Sequence, residues 1–356
     1  MNRFFRVYKK SHLLEHTRIR RFETKLGECL HTLPGKQAPE TELVQSSAPY
    51  VVLGIAEDIG VRANGGLGGT HTAWLAFLQA FLNLQSNDFF SGNEVLVLGH
   101  FDFSELQGLI EAHAHSADEK TEAFRHAVLR IDDAVEEVIR IITTAGKIPI
   151  VIGGGHNNAY PLIKGAAKGL HKSGRIPLAQ INCINVDAHT DYRPLEGRHS
   201  GNAFRYAEED GYLQKYFVVG VHENYIPQNV WTDFVNNPFF DLITYEDIFL
   251  HEKRNFIQAV ADATGFAYDG YTGIELDLDS VEGVLSSAAT PCGITPLQAR
   301  QYLNFAATDC KVAYVHLCEA AAALQDGRKA ELTGKLLSYL VSDFIKAHRQ
   351  LQDGSA

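Results

Sequence analysis

Cysteine is scarce in this sequence and irregularly spaced. The 356 residues include five cysteines, none of them in a CxxC pair. This spacing excludes the disulfide framework of a small secreted domain and the paired thiolates of a zinc ribbon. Three of the five lie inside apolar runs, where cysteine behaves as a small buried hydrophobic residue. We therefore expect a reducing, cytoplasmic setting. The cysteines are Cys29, Cys183, Cys292, Cys310 and Cys318.

Long apolar runs and an excess of basic residues are also missing. No run reaches the roughly 18 apolar residues of a membrane span, and we see no secretory signal pattern. The net charge of -11 argues against a general partner of nucleic acid or of anionic membranes. The composition, 45% hydrophobic and 21% charged, is that of an ordinary globular protein. A chain of this length can bury a large core, in one α/β domain or in two.

The first 47 residues differ in composition from the rest. Arginines and lysines outnumber acidic residues up to Glu28, and Pro34 and Pro39 then interrupt the pattern. A transit peptide would be basic as well, but such peptides are poor in acidic residues. We expect instead a basic, helical extension at 1–47 that packs on the main domain or on a neighbouring subunit.

From Pro49 onward, short β-branched runs alternate with segments of helical periodicity. Several runs are continuously apolar, which is typical of a parallel sheet covered on both faces. The sequence therefore predicts an α/β fold, a three-layer α/β/α sandwich with a mainly parallel sheet, over residues 48–349, followed by a loose tail at 350–356. The predicted strands are 50–55, 94–99, 148–152, 181–186, 217–221, 271–276 and 311–317, and the clearest helices are 70–84, 121–142 and 332–345.

Metal-competent side chains follow three of these predicted strands. They are His156, Asp187, His189, Asp191, Asp277 and Asp279. Three of them occupy alternate positions after the strand 181–186, so they can point from its carboxyl end toward one centre. In an open parallel sheet, groups at the carboxyl ends of the strands gather at one edge. Taken singly, each residue would more often be a helix cap, a turn residue or a satisfied polar group.

The six side chains comprise four carboxylates and two imidazoles, with no thiolate. This oxygen-rich set suits Mn²⁺ or a similar divalent ion better than a structural zinc. Six ligands exceed what one ion takes from protein while keeping room for water. Two ions that share bridging carboxylates are therefore the simpler interpretation.

The motifs GGGH, DAHTDYR with HSGN, and ELDLD, in this order, resemble those of the ureohydrolase family of arginases, agmatinases and formimidoylglutamases, over about residues 51–348. The resemblance implies an arginase-like fold with two Mn²⁺ ions per chain. One ion would be bound by His156, Asp187, Asp191 and Asp277, and the other by His189, Asp187, Asp277 and Asp279. Asp187 and Asp277 would bridge, and Asp191 would also orient the attacking water. The glycine-rich loop 62–69 resembles a loop of formimidoylglutamases, with Leu67 where those carry arginine.

The same resemblance assigns residues that contact the substrate. Glu319 would accept hydrogen bonds from its amidinium, and His199, Ser200 and Asn202 would orient it. Arginases carry a proton-shuttling histidine where this chain has Phe204, which leaves His199 as the expected shuttle. Arg193 stands where formimidoylglutamases carry an arginine, and its planar fork suits a substrate carboxylate.

Three departures from the family pattern concern the pocket and the subunit contacts. Glu275 replaces a small residue before the DxD, and Glu282 with Gly283 replaces the common Asp-Pro. Gln298 occupies a glutamate position associated with the family's trimers and hexamers, which leaves a homo-oligomer possible but unassigned. None of the departures removes a predicted metal ligand.

The resemblance therefore implies a binuclear Mn²⁺ hydrolase of a linear amidine C–N bond. The expected substrate is N-formimidoyl-L-glutamate, cleaved to L-glutamate and formamide as in histidine catabolism, with no nucleic-acid or membrane partner. Three alternatives remain open. They are an arginase- or guanidinobutyrase-type ureohydrolase, a catalytically silent member that binds metal, and a deacetylase of the related fold with a single zinc.

Overall fold

A computed structural model describes residues 2–354, and a single mixed sheet runs through it. The sheet order is β1-β3-β2-β4-β9-β8-β5-β6-β7, in which only β1 is antiparallel to its neighbour among the described strands. The strands are β1 (Phe5–Val7), β2 (Tyr50–Ala56), β3 (Val95–Asp102), β4 (Ile148–Ile152), β5 (Ile181–Val186), β6 (Leu213–Val221), β7 (Phe240–Thr244), β8 (Tyr271–Asp277) and β9 (Lys311–Cys318).

Helices cover both faces of this sheet. Their bounds are α1 (Lys10–Glu15), α2 (Leu26–Cys29), α3 (Pro39–Gln45), α4 (Ile59–Ala63), α5 (Ala73–Phe81), α6 (Ser104–His113), α7 (Ala117–Thr144), α8 (Ala159–Lys172), α9 (Ala203–Glu209), α10 (Gln228–Asn236), α11 (Tyr245–Phe249), α12 (Phe256–Phe266), α13 (Pro296–Asp309) and α14 (Thr333–Gly354). Short 3₁₀ turns lie at Thr70–Thr72, His156–Asn158, Ser200–Asn202, Glu223–Tyr225 and Leu278–Ser280.

Alternate residues of the central strands enter two separate apolar clusters. On one face Val52 and Ile150 pack with residues of α5, α12, α13 and α14. On the other face Val51 and Val151 pack with residues of α7, α8, α9 and α10. Because each strand must be apolar on both sides, its sequence shows continuous rather than alternating hydrophobicity. The predicted three-layer α/β/α sandwich is confirmed.

The ends of the chain differ in detail from the expectation. The extension 1–47 holds three short helices, but it also contributes strand β1, which pairs with Gly99–Phe101 of β3. Three residues with no partner nearby in sequence give too little signal to predict such a strand. At the other end α14 continues to Gly354, so residues 350–354 are helical rather than a loose tail. Residues 355–356 of the expected tail lie outside the described part of the chain.

The helices offer no route across a membrane. Between residues 2 and 354, none is both long enough and apolar enough to span one.

The sheet order brings the predicted ligand strands together. Strands β4, β9, β8 and β5 are consecutive neighbours and run parallel. Their carboxyl ends therefore lie side by side at one edge of the sheet. Three of these ends, those of β4, β5 and β8, carry the ligand motifs found in the sequence, and the fourth, that of β9, precedes Glu319.

His348 on α14 provides a test of this packing. Its Nδ1 lies 2.9 Å from the hydroxyl of Tyr50 on β2, and the residue is 7% exposed. Burial lowers the pKa of His348 below its ordinary value. The unfolded chain, with a histidine pKa of about 6.5, therefore binds a proton that the folded chain resists. Stability should fall as pH drops below about 6.5, by at most about 1.4 kcal/mol per pH unit from this group.

Urea unfolding at several pH values between 8 and 5 measures this effect. His348→Gln keeps a polar partner for Tyr50 and should lose less stability on acidification than the unmodified chain. His113→Gln, on the exposed surface of α6, is the matched control and should follow the unmodified chain. Identical pH slopes for all three proteins would contradict the assignment.

Candidate metal centre and substrate cavity

The residue after strand β5 is Asp187, which is fully buried. Its Oδ2 accepts a hydrogen bond from Asn185 Nδ2 at 2.9 Å, and its Oδ1 accepts one from the amide of His189 at 2.7 Å. Four residues later, Asp191 has φ 45°, in the left-handed region that non-glycine residues rarely adopt. This turn directs three side chains of one short segment to the same centre.

Strand β4 leads into the glycines before His156. Gly153 and Gly154 have φ of 86° and 75°, conformations that other residues rarely adopt. Buried Glu57, just after β2, holds this loop by accepting hydrogen bonds from Gly155 N at 2.9 Å and from Asn158 Nδ2 at 2.7 Å. Sequence analysis did not select Glu57, because its role depends entirely on contacts between the end of β2 and the loop after β4.

Strand β8 ends at Asp277, and Asp279 follows in a single 3₁₀ turn. The amide of Asp279 donates to Asp277 Oδ1 at 2.8 Å. This bond holds the two carboxylates in a fixed relation to each other. Both residues are at least 97% buried.

The six predicted ligands form two groups of donor atoms. In the first, His156 Nδ1 lies 2.8 Å from Asp191 Oδ2, 3.2 Å from Asp277 Oδ2 and 3.3 Å from Asp187 Oδ2. In the second, His189 Nδ1 lies 3.3 Å from Asp279 Oδ2 and 3.6 Å from Asp187 Oδ1. Within each group all donor atoms lie within 4.8 Å of one another.

Asp187 belongs to both groups, with one oxygen in each, which is the arrangement expected of a bridging carboxylate. Asp277, the second predicted bridge, belongs to the first group only. Its bridging role therefore remains a prediction.

The electrostatics of the centre favour cations. Burial raises the pKa of Asp277 well above its ordinary value, and the carboxylates of Asp279 and Asp187 add to the rise. Burial and Asp187 likewise raise the pKa of Asp191, to about 6. Buried carboxylates this close repel each other when ionised, and a divalent cation relieves that repulsion.

Buried polar atoms without hydrogen-bond partners also indicate a cation site. Nδ1 of His156 and Oδ1 of Asp279 are buried and have no hydrogen-bond partner. Buried polar atoms normally have one, so each such atom calls for an explanation. The donor set, rich in oxygen and free of thiolate, fits Mn²⁺ or a similar ion.

Glu319 follows strand β9 and faces the same centre. Its φ of 60° is again in the left-handed region. Its Oε1 accepts a hydrogen bond from the amide of His156 at 2.9 Å. Burial raises the pKa of Glu319 to about 8; the hydrogen bond from His156 opposes this rise, and the charges of Asp279 and Asp191 add to it.

A cavity of about 620 Å³ opens above these carboxylates. That volume is typical of a site for a small molecule. Asp191, Asp277, Asp279 and Glu319 lie among its walls, and the glycine-rich loop forms part of its border through Asn64, Gly65 and Gly66. The other lining residues are Val61, His189, Thr190, Arg193, Ser200, Gly201, Tyr225, Pro227, Ser287 and Ala288.

Three of the five predicted substrate contacts line this cavity, namely Glu319, Arg193 and Ser200. Arg193 is 48% exposed in its side chain; its Nη1 donates to Asn64 Oδ1 at 2.9 Å, and its Nη2 lies 2.7 Å from Glu196 Oε1. Among the described lining residues, Arg193 is the one arginine or lysine. Arg62, the other cation of this region, is paired with Glu111 and lies over the ring of Phe124.

The other two, His199 and Asn202, are buried and do not line the cavity. His199 Nδ1 accepts from Gly201 N at 3.1 Å, and Nε2 lies 3.2 Å from Glu196 Oε1. Burial, aided by the charge of Arg193, lowers the pKa of His199 to about 4. With both ring nitrogens engaged, His199 is better suited to hold its loop than to shuttle protons. The shuttle assignment remains a prediction that this geometry does not favour.

Asn202 is likewise committed to the loop. Its Oδ1 accepts from Arg198 Nη1 at 2.9 Å and from His199 N at 3.1 Å, and its Nδ2 donates to the carbonyl of Gly197 at 2.8 Å. With these bonds, Asn202 is better suited to hold the loop than to contact the substrate, and its substrate contact stays a prediction. The sequence cannot separate the two roles, because both place polar residues in the same motif.

Two aromatic side chains flank the metal ligands. Tyr225, which the sequence did not single out, lines the cavity and stacks on the His189 ring with centroids 5.0 Å apart. Phe204 is buried, stacks on Tyr216 and meets the ring of His156 edge-on at 5.2 Å. An apolar ring at this position leaves no proton-transfer group there.

Comparison with known proteins agrees with this architecture. The model of the arginase family matches residues 48–343. Formimidoylglutamase of Streptococcus pyogenes serotype M6 is 26% identical over 302 residues, which are 82% of this chain and 84% of the relative. Formimidoylglutamase of Psychrobacter cryohalolentis is 25% identical over 340 residues, 91% of this chain and 94% of the relative.

Solved structures show the same fold. Formimidoylglutamase from Bacillus subtilis superposes with a TM-score of 0.69 at 15% identity, covering 93% of this chain and 94% of that one. Trypanosoma cruzi formiminoglutamase with Mn²⁺ gives a TM-score of 0.66 at 20% identity, covering 91% and 98%. The predicted enzyme class, a hydrolase of amidine carbon–nitrogen bonds, is confirmed. Because the family model spans most of its length, this chain belongs to the arginase family.

Proposed function

We propose that this enzyme hydrolyses N-formimidoyl-L-glutamate to L-glutamate and formamide. The observation that carries the proposal is the charge distribution of the cavity, which has carboxylates at its base and a single arginine among its described walls. Formimidoylglutamate is itself dipolar, with a cationic amidinium at one end and carboxylates at the other. The names of the similar curated proteins point to the same substrate.

At the base of the cavity, Glu319 would bind the amidinium. Its Oε1 is held by the amide of His156, and Oε2 has no donor among residues 2–354. The positive charge of an amidinium would favour the ionised form of Glu319, and its planar N–H groups could then donate charge-assisted hydrogen bonds to the carboxylate oxygen. Asp191, in the same wall, would orient the attacking water.

Two Mn²⁺ ions are part of the proposal. His156, Asp187, Asp191 and Asp277 would hold one, and His189, Asp187, Asp277 and Asp279 the other. When bound, such a pair lowers the pKa of a water molecule toward neutrality and supplies a nucleophile at physiological pH. The surrounding protein contributes ligands held in place before binding, which limits the reorganisation needed during the reaction.

At the mouth, Arg193 would bind a substrate carboxylate. Its guanidinium is already anchored by Asn64 and is partly neutralised by Glu196, with which a substrate carboxylate has to compete. Phe204 supports the choice of substrate class, since it occupies the place of the arginase shuttle histidine.

An activity screen tests the proposal. The Mn²⁺-loaded protein should hydrolyse formimidoylglutamate in preference to arginine, agmatine and guanidinobutyrate. A preference for arginine or guanidinobutyrate would replace the proposed substrate by a guanidine. Two bound ions without hydrolysis of any of the four would support a catalytically silent member, and a single bound zinc would support the deacetylase-like alternative.

Substitution of Arg193 tests the role of the mouth. A charge-assisted pair is worth about 1.5–3 kcal/mol, and each 1.4 kcal/mol is about tenfold. Arg193→Met should therefore lower kcat/KM for formimidoylglutamate roughly tenfold to a hundredfold. Activity toward agmatine, which has no carboxylate, should fall much less. Arg193→Lys should recover part of the loss, since a point charge cannot reproduce the bidentate geometry.

Arg254→Met is the matched control, because Arg254 is a partly exposed arginine paired with Asp262 on α12. It should leave both activities unchanged. Equal losses with carboxylate-bearing and carboxylate-free substrates in Arg193→Met would show that Arg193 holds the loop rather than the substrate.

The remaining predictions belong to the same proposal. They are a place in histidine catabolism, a cytoplasmic location, assembly into a homo-oligomer, and a small amidine bearing a carboxylate as partner in place of nucleic acid or membrane.

A further inference from the structure

Behind His156, on the side away from the cavity, a buried carboxylate joins side chains of two strands. Glu275 of β8 is fully buried. Its Oε1 accepts a hydrogen bond from the hydroxyl of Tyr314 at 2.7 Å, and its Oε2 lies 2.6 Å from His316 Nδ1, both on β9. Glu275 Oε2 also lies 3.5 Å from His156 Nε2.

The direction of these bonds follows from the partners. The carboxylate of Glu275 can only accept, so Nδ1 of His316 carries a hydrogen and donates to Oε2. The hydroxyl of Tyr314 donates to the other oxygen of Glu275. Glu275 is thus fixed from two sides, and a buried charge held by several partners has little freedom to move.

The two nitrogens of His156 face different environments. Nδ1 faces Asp191, Asp277 and Asp187, whereas Nε2 faces Glu275. A neutral imidazole has one N–H and one lone pair. Because a carboxylate accepts hydrogen bonds, Glu275 favours the hydrogen on Nε2 and leaves the Nδ1 lone pair directed into the carboxylate group.

We propose that Glu275, fixed by Tyr314 and His316, is a positioning residue that sets the tautomer of His156 for binding a divalent cation at Nδ1. Metal-binding histidines commonly donate their other N–H to such a partner, which orients the ring and raises its basicity. The inference rests on the proposed cation binding and is independent of the proposed substrate. It gives a role to a residue that replaces the small one found before the DxD in related sequences.

A third ion behind His156 is the competing explanation. His156, Glu275, His316 and Cys318 offer donor atoms within 4.8 Å of one another. However, Glu275 and His316 already form a 2.6 Å hydrogen bond, and Cys318 Sγ donates to the carbonyl of Leu276 at 3.6 Å. An ion there would have to break both bonds, so the positioning role is the better explanation.

Glu275→Gln tests the inference through metal affinity. Gln keeps the size of the side chain but has no charge. Mn²⁺ retention, measured by elemental analysis after equilibration with graded chelator, should show one ion held roughly tenfold to a hundredfold more weakly, while the other is retained as before. The number of ions per chain should therefore fall from two toward one at intermediate chelator.

Thr272→Val is the matched control, because Thr272 is buried on the same strand but lies near its other end. It should lower the melting temperature without selective loss of one ion. Unchanged affinity for both ions in Glu275→Gln, or equal weakening of both, would overturn the proposal. So would a third ion in the unmodified protein that is lost in the variant.

The unmodified protein offers a second measurement that does not depend on folding of the variant. With ¹⁵N-labelled histidine and diamagnetic Zn²⁺ as the probe, NMR should show His156 with its hydrogen on Nε2 and its metal contact at Nδ1. The reverse arrangement would overturn the proposal. If the protein binds two ions as predicted but does not hydrolyse formimidoylglutamate, only the proposed function is contradicted, and the role of Glu275 is not.

Discussion

Asp277→Asn should leave the protein deficient in both metal ions and reduce hydrolysis more than a hundredfold, whereas His156→Ala should empty one site preferentially. Asp277 is nearly fully buried, 3.2 Å from His156 and hydrogen-bonded to the amide of Asp279. Even substitutions outside the ligand set commonly cost roughly tenfold to a hundredfold in metal affinity or activity. If Asp277 is shared as predicted, an amide in its place would remove a charge on which both ions depend.

Elemental analysis of the purified, Mn²⁺-equilibrated variants distinguishes the two effects. Asp262→Asn, an exposed aspartate on α12, is the control and should retain the full complement. Two ions per chain together with full activity in Asp277→Asn would exclude the bridging role. Loss of one ion only would assign Asp277 to the first donor group alone, the group in which its carboxylate lies.

Arg198→Met should lower the free energy of unfolding by about 3–5 kcal/mol, the usual cost of removing one partner of a buried ion pair. Arg198 is 2% exposed and forms a two-pronged pair with Asp132 of α7, at 2.9 Å and 3.2 Å. It also donates to the carbonyl of Asn157 at 2.8 Å and to Asn202. The substitution leaves the buried carboxylate of Asp132 without its donors and removes one donor each from the carbonyl of Asn157 and from Oδ1 of Asn202.

Chemical unfolding at neutral pH measures this loss, and a double variant isolates its cause. Asp132→Leu combined with Arg198→Met removes both charges and should recover much of the stability, because apolar replacements of buried pairs are often close to neutral. KM for formimidoylglutamate should be raised in Arg198→Met and should remain raised in the double variant, because Arg198 also orders the loop that carries Arg193 and Ser200. A loss below about 1 kcal/mol in Arg198→Met, the range of an exposed pair, would contradict the buried-pair interpretation.

The sequence predicted the sheet and the ligands because both leave local signals. Continuous apolar runs indicate strands that are covered by helices on both faces of the sheet. Each ligand motif directly follows such a run. Strand β7 was not predicted, because Asp241 interrupts its apolar pattern at an edge of the sheet. An edge strand needs less hydrophobic sequence than a central one.

The supporting residues of the site left no such signal. Glu57, Arg198 and Glu275 act through partners that are distant in sequence, so their roles emerge only when β2, α7 and β9 are in place. The motif around His199 shows the opposite problem. Its polar residues are adjacent in sequence, so the sequence does not show which of them reach the cavity. In the structure, His199 and Asn202 form hydrogen bonds within their own loop, whereas Ser200 lines the cavity.

The N-terminal extension covers an exposed edge of the sheet. Within the family-matched region, β3 is the outermost strand on its side of the sheet, and its free edge is covered at two places by the first 47 residues. Strand β1 pairs with Gly99–Phe101, and His31 exchanges backbone hydrogen bonds with Val95 and Val97 at 2.9 Å each. An uncovered strand edge is a template for pairing with another chain and a route to aggregation. At these two places the extension therefore blocks the edge of β3 from pairing with a strand of another chain. This role needs no contact with the metal centre.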